Sequence, residues 1–160
     1  GTKLAAAYVL GADAVIRATD SPSTVTSAAN LPVIGGCTGA TAVDIAWTGT
    51  ELYAACLASG GTVIVKRASL ASLTSVTWTT VSTSLPSSVS ALDLEASTTG
   101  VSIAVRSGTS LKVFNNVTDT FPTYDEVRPG SFDLARTASG IVLAVCDMSG
   151  DRTLRTWVSP

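Results

Sequence analysis

Ala42-Val43-Asp44-Ile45-Ala46, followed across a short Thr- and Gly-containing turn by Leu52-Tyr53-Ala54-Ala55-Cys56, decides the fold, because the chain repeats this stretch twice more. Ala91-Leu92-Asp93-Leu94-Glu95 precedes Val101-Ser102-Ile103-Ala104-Val105, and Ser131-Phe132-Asp133-Leu134-Ala135 precedes Ile141-Val142-Leu143-Ala144-Val145. In each copy the Asp is followed at the same offset by an apolar-x-apolar-Ala-apolar strand. Self-similarity of this kind marks a repeat architecture, in which each unit buries its apolar faces against its neighbours.

Each unit continues through a second tight turn into a third strand: Gly60-Gly61 before Thr62 to Arg67, Ser107-Gly108 before Ser110 to Phe114, and Ser149-Gly150-Asp151 before Arg152 to Val158. These are hairpin signatures. Thr77 to Val81 and Thr123 to Val127 supply fourth strands for the two middle units, which makes the unit a four-stranded antiparallel meander. Leu4 to Tyr8 and Ala14 to Arg17 fit the second and third strands of the same template, so the first unit lacks its first strand and the last unit lacks its fourth. The reading is one all-β repeat domain or segment, 1–160, with units of approximately 1–40, 41–88, 89–130 and 131–160. Its open sheet edges are expected to be paired or covered by further protein.

Composition agrees. Serine and threonine supply 43 of the 160 residues, alanine 22 and valine 18, and such small and β-branched side chains suit pleated surfaces. Ten basic against twelve acidic residues, without histidine, argue against a nucleic-acid footprint. The purest apolar run, Leu4 to Leu10, is too short to cross a bilayer as a helix.

A four-stranded meander recurring at spacings of 49 and 40 residues, measured between the repeated Asp positions, resembles a β-propeller. The Gly-His and Trp-Asp pairs of WD repeats do not occur. Thr77-Trp78 is similar to the end of the Asp-box of sialidase-like propellers. The box's Ser, Asp and Gly are replaced by Ala71, Leu73 and Ser75, so sialidase activity does not carry over.

The candidate sites follow from this frame. Asp44, Asp93 and Asp133 recur at one repeat position, where a carboxylate either accepts hydrogen bonds from a neighbouring turn or blade or joins a cation-binding ring; recurrence in every unit favours the architectural role. Arg17, Arg67, Arg128, Arg136 and Arg155 sit at dissimilar positions and read as solvated charges rather than an anion site. Glu51, Glu95, Asp125 and Glu126 are candidate general acids and bases, assigned to turns or the sheet periphery. Without histidine the usual nucleophile dyads cannot form. Trp47, Trp78, Trp157 and Tyr124 are candidate ligand-binding aromatics, although the equivalent positions of Trp78 and Tyr124 point to packing between units. Three cysteines, Cys37, Cys56 and Cys146, argue against a disulfide framework, and Cys56 and Cys146 read as small core hydrophobes. Neither a cofactor nor a metal is expected.

The functional expectation is a non-catalytic structural or interaction module of a larger assembly, in a bacteriophage virion (tail or capsid-associated) or at a cell surface. Its partners would be other subunits or further blades of the same polypeptide, with no nucleic acid and no membrane insertion. A glycan-binding adhesin or lectin-like propeller is the alternative, and a segment of a glycosidase propeller the second alternative.

Overall fold

The computed structural model describes residues 2–27, 31–73, 75–81, 85–116, 119–120, 129–137, 140–147 and 154–159, with the backbone alone for 119–120, 129–131, 142–147 and all of 154–159 except 156. Among these, strands form four antiparallel sheets, no α-helix occurs, and Pro22–Thr24 makes one 3-10 turn. The first sheet holds β1 (Leu4–Leu10), β2 (Asp13–Thr19) and β3 (Val33–Thr38). The second holds β4 (Ala40–Trp47), β5 (Glu51–Ala58), β6 (Val63–Ser69) and β7 (Thr79–Val81). The third holds β8 (Val89–Ser97), β9 (Gly100–Ser107), β10 (Ser110–Asn115) and β11 (Asp119–Thr120), and the fourth β12 (Pro129–Thr137), β13 (Gly140–Asp147) and β14 (Leu154–Ser159). Within every sheet the strands pair in chain order.

The sequence repeat is reproduced in the strand register. Asp44 stands opposite Ala55, Asp93 opposite Ala104 and Asp133 opposite Ala144. A register shift falls three residues before each Asp, passing over Thr41, Ser90 and Gly130. The Thr41 hydroxyl donates to the Leu57 carbonyl at 3.2 Å and the Ser90 hydroxyl to the Arg106 carbonyl at 3.4 Å, so two of the three irregularities carry the same side-chain bond. A bulge repeated at one position bends each first strand the same way. The fourth strands differ from expectation: β7 begins only at Thr79, β10 pairs with Asp119–Thr120, and Thr123 to Val127 lies outside the described residues.

Each sheet packs on the next. Leu57, Val63 and Val65 of the second sheet meet Val101, Ile103, Val105 and Phe114 of the third; Leu111 and Val113 of the third meet Leu134 and Ile141 of the fourth. The middle strands are therefore covered on both faces, which is why β5 is buried without a break from Ala54 to Leu57 and β9 from Val101 to Val105 instead of alternating. Ala55 and Ala104 are fully buried, whereas the side chain of Ala144 lies outside the described set. Replacing Ala55 or Ala104 by Leu is expected to overpack these contacts and cost about 1–3 kcal/mol; thermal melts unchanged from the parent would disprove the tight packing.

The first two sheets are also joined by side-chain hydrogen bonds and a disulfide. Trp78 Nε1 donates to the Ile34 carbonyl at 2.7 Å, and its indole lies so close to Gly35 that a Cβ there would fall 2.3 Å from Nε1. Lys66 Nζ donates to the Gly36 carbonyl at 3.0 Å, and the Leu73 amide to Asp20 Oδ2 at 2.9 Å. Lys3 also pairs with Asp20, and these two partners hold the Asp20 carboxyl below its ordinary range. Cys37 of β3 is disulfide-bonded to Cys56 of β5. This corrects the reading of Cys56 as an unpaired hydrophobe. An odd cysteine count excludes pairing of all three, and the repeat alignment gave no sign that the end of one unit faces the second strand of the next.

Candidate functional site

Two arrangements stand out, one on the repeated aspartates and one around Trp47. Asp44 Oδ2 accepts the Leu94 amide at 2.7 Å, while Asp44 Oδ1 accepts the amide of its own neighbour Ile45 at 2.8 Å. Asp93 Oδ2 accepts the Leu134 amide at 2.6 Å. Leu94 and Leu134 immediately follow the next Asp in the series, so each carboxylate reaches across to the same backbone position one sheet further on. Both leucines are 1% exposed, and an amide there would otherwise lack water. The bond is a sheet-to-sheet tie, repeated because the geometry is repeated.

This tie brings carboxyl groups together. Partial burial pushes the Asp93 carboxyl up to about 7, opposed by the bond from Leu134 and reinforced by hydrogen bonding with Asp44 and by the charges of Asp44 and Asp133. Glu95, two residues on, is also raised, first by burial and then by Asp44 and Asp133. Glu95 is thus on a first strand between other first strands, not at a turn or the periphery as its sequence context suggested. No group of three or more metal-ligating side chains suited to an ion occurs among the described residues.

The candidate aromatics part company. Trp78 is held in the junction between the first two sheets, whereas Trp47, at the end of β4, is 44% exposed. Trp47 borders a depression of about 310 Å³ lined by Ala5, Ile45, Ala46, Glu95 and Ala96, and a second of about 260 Å³ lined with Lys3, Thr48, Gly49 and Leu70. The first joins β1, β4 and β8. Tyr124 and the side chain of Trp157 lie outside the described residues. Of the tryptophans, sequence alone could not say which was exposed; the available signal was the alanine at positions 5, 46 and 96, which leaves room beside the indole.

The remaining candidates stay apart. Arg17 donates from Nε to the Tyr8 hydroxyl at 2.7 Å and from a terminal nitrogen to the Leu31 carbonyl at 2.5 Å. Arg67 lies 3.4 Å from Glu51, which accepts the Tyr53 hydroxyl at 2.8 Å; burial and Glu51 together raise the Tyr53 phenol. Arg136 bonds Ser102 and Asn115 and so ties β12 to the third sheet, with its pKa lowered by burial. Arg128, Asp125 and Glu126 are outside the described residues, as is the side chain of Arg155. The chain matches no family model and no curated protein.

Proposed function

We propose that this chain is a non-catalytic interaction module, built as consecutive propeller-type blades, whose working state is part of a larger protein assembly. The observation that carries the reading is the edge of β1. In the other three sheets the strand equivalent to β1 is paired on that side by β4, β8 or β12, whereas β1 pairs only with β2 among the described residues. Leu4 to Leu10 contains no charge, and Leu4, Val9 and Leu10 are 38%, 37% and 64% exposed. A long, uncharged strand edge recruits another strand.

The partner is accordingly another protein segment, from a neighbouring subunit or from further blades of the same polypeptide. A histidine-free, Ser/Thr-rich, charge-poor β chain suits the durable, extracellular setting of a bacteriophage virion or a cell surface, which is the setting proposed here. A disulfide is at home in such a setting.

Substituting Val9→Lys and Leu10→Lys puts charge on the edge without touching the core. In sedimentation, the parent is expected to associate and the double variant to move toward monomer with its melting temperature kept. A parent that sediments as a stable monomer at every concentration would overturn the proposal.

A further inference from the structure

We propose that Trp47 and the depression beside it form a saccharide-binding site for a neutral pyranose residue of a glycan. A pyranose presents an apolar C–H face that an exposed indole covers well, and a ring of hydroxyls that needs acceptors at its rim. Trp47 provides such an indole, with its exposure set by its place at the end of β4, while Trp78 is committed to Ile34. The adjoining depression, at about 310 Å³, lies at the lower end of the range of small-ligand sites, about 300–1,000 Å³. Its walls come from three strands of three different sheets, and alanine at 5, 46 and 96 keeps it open.

Polarity sets the sugar class. Glu95 lines the depression and offers carboxylate oxygens to sugar hydroxyls. Asp44 and Asp133 act on Glu95 through their charges, so an anionic sugar entering here meets repulsion. Lys3, which lines the second depression beside Trp47, has its charge engaged by Asp20. Sialylated and uronic-acid glycans are therefore disfavoured and neutral ones admitted. The second depression also borders Trp47 and gives a glycan of several residues further room beside the indole.

The test is titration of the intact chain with maltohexaose, cellohexaose and the hexamer of N-acetylglucosamine as neutral probes, and with 3′-sialyllactose and oligogalacturonate as acidic ones. Binding is read by calorimetry and by the indole N–H signals in nitrogen-edited NMR, with Trp47 assigned from Trp47→Phe. At least one neutral probe is expected to bind and to shift the Trp47 indole, with Trp47→Ala weakening it by about tenfold and Glu95→Ala weakening it as well, while the acidic probes bind more weakly. Absence of binding by every neutral probe up to about 5 mM, a shift confined to the other two indoles, or stronger binding of an acidic probe would each overturn the proposal. The calorimetric titration uses the unsubstituted protein, so a variant that fails to fold leaves that test intact. An association defect in Val9→Lys, Leu10→Lys with glycan binding unchanged would separate this site from the β1 edge.

Discussion

Removing the Cys37–Cys56 crosslink, by reduction or by the double substitution Cys37→Ala, Cys56→Ala, is expected to lower stability by about 3 kcal/mol. The bond closes a segment of 19 residues, and a closed loop of that length takes about that much conformational entropy from the unfolded chain. It also joins the first sheet to the second, where Ala14 and Ala40 pack around the two sulfurs with little other apolar bulk. For a domain of this size the loss corresponds to a fall in melting temperature of about 6–12 °C. Calorimetry with and without reductant checks it: the reduced parent should melt with the double variant. Identical melting of the oxidised parent and the variant would mean that the crosslink contributes nothing.

Truncating the aspartate ties is expected to cost about as much or more. Asp44→Ala leaves the Leu94 amide without its acceptor and Asp93→Ala does the same for Leu134, each at about 2 kcal/mol, or about 4 kcal/mol for the pair before any coupling between the adjacent carboxyls. Asp93→Asn behaves differently. Its amide oxygen can still accept the Leu134 N–H, and its NH₂ can donate to Asp44 without the second charge.

The raised Asp93 carboxyl gives this comparison a pH dependence. Its proton is held more tightly in the folded than in the unfolded state, so the stabilisation is fully present below the unfolded value near 4 and is lost as pH rises through about 7. Water still reaches the group in part, which reduces the effect to about 1–2 kcal/mol. Denaturant titrations between pH 4.5 and pH 8, interpreted within about that range, should show the parent losing stability as pH rises. Asp93→Asn should match the parent at the acid end, exceed it at the alkaline end and vary less between them. A parent most stable at the alkaline end would contradict the assignment, although Glu95 titrates in the same direction and adds to the slope.

The repeat was legible because it is carried by local pattern. An Asp at a fixed distance before an apolar-x-apolar-Ala-apolar strand constrains register, and the strands pair with Asp opposite Ala in all three units. The common bulge was not legible, since Thr41, Ser90 and Gly130 share no side chain that marks it. The cross-sheet bond from Cys37 to Cys56 was hidden for a similar reason: sequence periodicity orders strands within a unit but does not show which residues of successive units meet. Trp47 and Trp78 illustrate the same boundary. Both are tryptophans near strand ends, yet Gly35 makes room for one to enter a junction and the other is left at the surface.

Amide hydrogen exchange, followed by NMR in the parent and in Asp44→Ala, tests the central claim that carboxylate-to-amide bonds hold successive sheets together. The expected result is slow exchange at Leu94 and Leu134 in the parent, with Asp44→Ala accelerating Leu94 far more than Leu134. Fast exchange at both leucines in the parent, or an unchanged Leu94 rate in the variant, would contradict it.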